Sequence, residues 1–358
     1  MIFKEKDIDR GEWSRLVETS ATGTWFQGPE AYEFFASMPE LFMPFVVGVE
    51  NDQSPMTNDK SRLRAVCVGY VTKERSALKQ FFTRRAIIIG GPCLADDATE
   101  EEVEALMSVI KDSLSFSHSL IHSFLHSPIY IETRNFNDYS RWKNAFAAAG
   151  FDYQSHLNFH VDTSSVEVVE ANLGKSRKRD IRTTIREGVS IIELVNEKVS
   201  ELERKRMVHE YYLILKNLYE TKVKTPLFPE SFFQTLAKHL SARFLLTELN
   251  GKIVGGTVCV AQEGKCLYEW FACGEDGVYP HVFPSCYATY AGIRYAAEYH
   301  MPRFDMMGAG KPDEAYGVRE FKAKFGGLEV EYGRFLCITK PLLYKIGTLG
   351  VKILKKLK

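Results

Sequence analysis

Apolar and polar residues change their period repeatedly along this chain, and the changes outline two similar runs of elements. In the first half, residues 12–19 predict a short helix. Residues 45–49 and 64–73 alternate or run apolar as strands do, and the polar stretch 51–60 joins them as a hairpin connection. The β-branched run 85–89 stops at Gly90-Gly91-Pro92, because proline cannot donate to a ladder. Thr99 followed by Glu100, Glu101 and Glu102 predicts a helix start, with a capping hydroxyl and acids in the first turn. Val103, Leu106, Met107 and Ile110 give that helix its inner face. A strand at 129–132 follows Pro128, and a helix at 139–149 ends at Gly150.

The second half repeats the order. A basic helix at 173–187 ends at Gly188 and leads into a strand at 189–195. A long helix at 199–221 and another at 230–240 precede strands 243–249 and 253–260. Asn250-Gly251 between those strands favours a tight type I′ turn. A strand at 265–272, a helix at 286–299 and a strand at 303–307 complete the set. Each half reads as a mixed sheet covered by helices. The division is expected near Asp162-Thr163-Ser164-Ser165, giving domains 1–162 and 163–340 and a last segment 341–358.

A length of 358 residues suits two domains. Lys plus Arg equals Asp plus Glu at 46 each, so attraction to nucleic acid or anionic lipid must come from local patches. The first residues lack an apolar core of signal-peptide length and no run is long enough to span a bilayer, which predicts a cytoplasmic protein. Seven cysteines without a C-x-x-C pair predict reduced thiols. Cys259, Cys266 and Cys273 recur every seven residues within strands, a spacing with no metal logic. His118, His122 and His126 form an i, i+4, i+8 stripe without a carboxylate partner, so a polar helix face is expected and no metal.

The chemistry concentrates at 304–327. A short strand carrying Asp305 runs into glycines at 308, 310 and 317, interleaved with Lys311, Tyr316, Arg319 and Lys322. Glycine lets a backbone approach a ligand closely, and cations suit an anionic or carbonyl-bearing group. Lys322, between Phe321 and Phe325, is expected to bind a donor phosphate or to stabilise an oxyanion. Asp305 is expected to accept a proton from an attacking amine or to orient it, with Tyr316, Lys311 and Arg319 as further contributors. On the basic helix, Lys175, Arg179, Arg182 and Arg186 line one face, Arg177 and Lys178 widen it, and Ile181 and Ile185 are expected to dock it. Such a stripe suits a phosphate backbone.

Four motifs, in register along nearly the whole chain, carry a resemblance. Thr24-Trp25-Phe26-Gln27-Gly28-Pro29-Glu30 looks like an early "FQ-x-P/S-E" turn. The run 175–182, followed by Arg186-Glu187-Gly188-Val189, looks like a basic helix leading to a "-GV-" strand. Tyr219-Glu220-Thr221-Lys222, Pro226, Pro229 and Phe232-Phe233 form a third element, and Phe321-Lys322-x-x-Phe325-Gly326 a closing signature. Together they resemble the Fem-type peptidoglycan aminoacyltransferases. The resemblance implies an α/β (α+β) protein of two tandem GNAT-like domains, each a mixed sheet flanked by helices. It also implies aminoacyl transfer from a charged tRNA to an amine of a cell-envelope precursor, with Lys322 in the site.

Near Tyr32-Glu33-Phe34-Phe35 the family's substrate-binding lysine is absent. The loop before Phe232 lacks its arginine, leaving Lys222 or Lys224 to substitute, so the acceptor is expected to differ from a nucleotide-sugar precursor. Neither half carries the R/Q-x-x-G-x-G/A loop of acetyl-CoA enzymes, since Gly90-Gly91-Pro92 and the segment 279–284 stand there instead. The donor is therefore expected to be aminoacyl-tRNA, with acyl-CoA or an acyl carrier protein acting on a sugar or polysaccharide amine as the alternative, and no bound cofactor. A non-catalytic module gripping an envelope glycan or peptide is the reading of another class. Leu342, Ile346, Leu349, Ile353 and Leu357 make the tail amphipathic, with lysines beside them. It is expected to lie on an anionic inner membrane face and to suit a lipid-linked acceptor.

Overall fold

The computed structural model describes residues 2–4, 8–50, 62–74, 76–115, 127–195 and 199–356. It divides into two compact units, residues 1–156 with 332–358, and residues 157–331. The first unit opens with β1 (Ile2–Lys4), helices α1 (Arg10–Thr19) and α2 (Pro29–Ala36), and the antiparallel pair β2 (Phe42–Glu50) and β3 (Leu63–Thr72). It continues through α3 (Ala77–Thr83), β4 (Ala86–Gly90), β5 (Cys93–Leu94), α4 (Glu100–Ser115), β6 (Tyr130–Asn135), α5 (Lys143–Ala148) and β7 (Asp152–Gln154). β4 and β6 run parallel. Helix α4 buries Val103, Leu106, Met107 and Ile110, the face its spacing predicts.

The early glutamine motif proves to be a staple within this unit. Gln27 is fully buried. Its Nε2 donates to the carbonyls of Val68 (3.0 Å) and Ile89 (2.8 Å), and its Oε1 accepts from Val68 N (2.8 Å). One side chain thereby satisfies groups on both β3 and β4, where an unpaired buried amide would be costly.

The second unit comprises β8 (Leu157–Asp162), α6 (Val166–Asn172), α7 (Lys175–Arg186), β9 (Ser190–Glu193), α8 (Glu201–Leu218), α9 (Glu230–Leu236) and β10 (Ala242–Leu249). It closes with β11 (Lys252–Gln262), β12 (Cys266–Gly274), α10 (Pro284–Glu298), β13 (Arg303–Gly308), α11 (Gly317–Ala323) and β14 (Leu328–Glu331). Its sheet runs β14-β8-β13-β12-β11-β10-β9. Asn250 (φ 52°) and Gly251 (φ 79°) turn β10 into β11 with both φ positive, as a type I′ turn requires.

The chain then returns to the first sheet through β15 (Arg334–Ile338), which pairs with β6 and β7, and ends in α12 (Pro341–Lys356). So Leu157–Asp162, expected in the first domain, lies in the second sheet, and Arg334–Ile338 does the reverse. The polar run at 162–165 is a helix start and not a border: Ser165 caps α6 by accepting from Val168 N. Among the described residues no helix is long and apolar enough to cross a membrane. The seven cysteines are free and buried. The stretch 51–60 and the histidines at 118, 122 and 126 lie outside the described residues.

Arg334 ties the returning strand to Glu132, with Nη1 to Oε1 at 2.7 Å, while Arg134 Nε holds Oε2 at 3.0 Å. Burial alone would raise the Glu132 pKa, but the two guanidinium groups more than reverse this and hold it at about 2. A carboxylate depressed in the folded state adds stability that is present above its unfolded pKa and lost as pH falls through the folded one. Unfolding free energy should thus drop by about 3 kcal/mol between pH ~4.5 and ~2. Denaturant melts across that window should show the slope, and Glu132→Gln should flatten it. An unchanged slope in the variant would refute the assignment.

Candidate active site

The parallel strands β12 and β13 pair over only three residues each, Cys266–Tyr268 against Arg303–Asp305, and then part. β13 also loses register with β8 between Asp305 and Gly308. Met307 within that break has φ 59°, a left-handed conformation uncommon for a residue with a side chain. Asp305, fully buried, holds the turn by accepting Met307 N at 2.7 Å, and its Oδ2 lies 3.2 Å from His160 Nε2.

Lys322 reaches into this break from α11. Its buried ammonium donates to the carbonyl of Met306 and to that of Gly308 at 2.8 Å. These carbonyls lie past Asp305, the last residue of β13 that pairs with β12, so the lysine satisfies acceptors where those two strands part. Glu269 on β12 is its buried counterpart. Glu269 Oε1 accepts from Thr289 Oγ1 (2.8 Å) and Thr257 Oγ1 (3.1 Å), and no described hydrogen bond reaches Oε2. Burial raises the Glu269 pKa against the opposing pull of Lys322 and the two hydroxyls. Burial lowers the Lys322 pKa against the opposing pull of Glu269 and Asp305. Two neighbours moved towards neutrality from opposite sides are suited to exchanging protons with a bound group.

The helix carrying Lys322 is pinned from behind. Arg177 is buried, with its guanidinium 4.4 Å from the Phe321 ring centroid and 5.0 Å from that of Phe325. It does not widen the basic stripe as its position in the sequence predicts. It turns inward beside Asp180 (3.5 Å), and α7 docks through Arg177, Asp180, Ile181 and Thr184 while Ile185 stays 48% exposed. Lys175, Arg179, Arg182 and Arg186 are exposed along α7, as their spacing predicts.

The other predicted residues scatter. Arg319 wraps the glycine-rich turn, with Nε to Ala309 O at 3.2 Å, Nη1 to Pro312 O at 3.1 Å and Nη2 to Lys311 O. It builds the loop instead of standing free for a donor. Exposed Tyr316 precedes α11, with its ring against Gly310, where a Cβ would meet it at 2.9 Å. Lys311 is exposed, 3.9 Å from Glu314. Lys222 and Lys224 lie in and just after the π-turn Tyr219–Val223 that follows α8, and no described contact joins them to Lys322. Sequence reasoning passed over Glu269. The available signal was a lone carboxylate inside the apolar run 266–273.

The N-terminus of α10, beside the end of β12, is already occupied. Phe283 N donates to Thr184 Oγ1 (3.0 Å), Ser285 N donates to Asp276 Oδ1 (3.2 Å), and Ser285 Oγ bonds the same carboxylate. A carboxylate there fills and neutralises the positive end of the helix dipole.

Residues 244–352, which include β12, β13 and Lys322, match the FemAB family. That match spans less than a third of the chain. No curated protein matches it in sequence. Its structure is similar to that of FemX, with a TM-score of 0.66 at 12% identity over 97% of this chain and 99% of that one. A tandem GNAT protein from the clavulanic acid biosynthesis pathway matches with a TM-score of 0.55 at 10% identity, over 95% and 98% of the two chains. L-PGS from Bacillus licheniformis matches at 0.54 and 11% identity, over 97% of each. The fold is therefore two GNAT-like units in tandem.

Proposed function

We propose that this chain is a Fem-type acyltransferase that moves an aminoacyl group from a charged tRNA to an amine of a cell-envelope precursor. The observation that carries the reading is the closed N-terminus of α10. The Asp276 carboxylate and the Thr184 hydroxyl take backbone donors there that a pyrophosphate would need, and the carboxylate would repel it. Lys322 compounds the effect, because an amide-bearing thioester arm entering the strand break would compete with it for the Met306 and Gly308 carbonyls. An aminoacyl ester on RNA needs neither feature.

In this reading the acceptor amine attacks the ester carbonyl carbon. Glu269 takes the proton from the amine at Oε2, and the Lys322 ammonium lowers the energy of the oxyanion. Collapse breaks the ester C–O bond and releases the ribose hydroxyl, which receives the proton. The ester is already activated, so positioning and charge suffice and no bound cofactor is required. The exposed cations of α7 supply sequence-independent phosphate contacts. Helix α12 leaves Leu342 and Ile346 78% and 57% exposed, which supports a peripheral seat at the inner membrane face near a lipid-linked acceptor.

Charged tRNA should bind at ~0.1 M salt, where surface charge still acts. The triple variant Lys175/Arg179/Arg182→Ala should bind roughly 30-fold more weakly, with a salt slope reduced by about 3. Equal binding by both proteins would remove α7 from the account, and no binding by either would remove the tRNA donor.

A further inference from the structure

Within the second unit α7, α10 and strands β9 and β10 enclose an open groove of about 520 Å³. The transfer chemistry above makes no use of it. Its floor includes Ile181 and Leu245, both buried. One wall is aromatic. Tyr295 and Tyr299 stack with ring centroids 4.1 Å apart and planes 16° from parallel, and Tyr299 remains 53% exposed. Tyr295 is itself fixed, its hydroxyl accepting from Arg243 Nε at 2.7 Å. From α7, Lys178 and Arg182 also line the groove, and they form no ion pair among the described residues. Two of the acids in the lining are already engaged, Glu298 by Arg294 (2.7 Å) and Glu170 by the Tyr290 hydroxyl.

A rigid tyrosine stack at the end of α10 and two cations on α7 line one groove together with apolar residues, and they fit a ligand that carries both a flat ring and an anionic group. We propose that this groove binds a nucleotide, its base on the Tyr299 ring and its phosphate at Lys178 and Arg182. Glu193, also in the lining, is placed to accept from a base amino group or a ribose hydroxyl. Stacking on an aromatic face tolerates every base, and the two cations recognise phosphate without reading sequence. A free nucleotide and the unpaired end of an RNA share this chemistry.

Arg182 also belongs to the exposed stripe of α7, so Tyr299→Ala and Lys178→Ala are the informative variants. Both positions are at least partly exposed, and neither serves the strand break. The probes are AMP, a blunt RNA hairpin, and the same hairpin with a short unpaired 3′ end. Binding of AMP lost in both variants supports the groove as a seat for a free nucleotide. An unpaired end that tightens hairpin binding about 10-fold, with the gain lost in both variants, supports it as a seat for an RNA end. The proposal is overturned if neither AMP nor the unpaired end contributes, or if both variants keep the gain. Binding of the blunt hairpin is read separately, so failure of the groove and failure of the RNA donor are told apart.

Discussion

Lys322→Ala is expected to slow acyl transfer by about 10²–10³-fold, the loss typical of removing one oxyanion-stabilising donor. The side chain is buried where β12 and β13 part, and burial strengthens the pull of Glu269 and Asp305 on its charge. Removing it also leaves the carbonyls of Met306 and Gly308 without their donor, a cost of about 1–3 kcal/mol for a buried group. Lys322→Met separates loss of the ammonium from loss of packing, because it keeps the bulk of the stem. Both variants should remain folded by near-UV circular dichroism and lose activity alike. A folded Lys322→Met protein within a few-fold of the wild-type rate would place the chemistry elsewhere.

Glu269→Gln should cut kcat/KM by about 10²-fold, within the range for loss of a general base. The amide oxygen can still accept from Thr257 and Thr289, so the substitution removes the base without emptying the site. Glu269 acts only when ionised, so activity should rise with pH through its own pKa, which burial holds above the ordinary carboxylate range. That rise should vanish in the variant. The linkage runs the other way for stability. A carboxyl raised in the folded state adds stability that is fully present below its unfolded pKa and lost as pH climbs through the folded one. Wild type should lose stability across that interval and Glu269→Gln should not. A pH–rate profile unchanged by the substitution would exclude Glu269 as the base.

Periodicity exposed most of the fold, because helix faces and tight turns are local events. The buried face of α4 and the Asn250-Gly251 turn follow from residues within a few positions of one another. The exchange of Leu157–Asp162 and Arg334–Ile338 between sheets does not, since strand pairing over such separations leaves no local mark. The same limit governs the site. Lys322 stood out as a cation between two phenylalanines beside a glycine-rich turn. Arg177 and Arg319 look like any surface cations in sequence. Only the tertiary structure turns one onto the Phe321 and Phe325 rings and wraps the other around the carbonyls of Ala309 and Pro312. Asp276 reads as a loop acid until it is seen at the start of α10.

The central claim concerns the donor, and transfer itself tests it most directly. The purified protein would be given tRNA charged with a labelled amino acid and, in parallel, a labelled acyl-CoA, each with an amine-bearing envelope precursor. The label would then be followed into the amide product. The account predicts amide from the charged tRNA alone, lost with Lys322→Ala. Product formed from the thioester, with none from the tRNA, would contradict it.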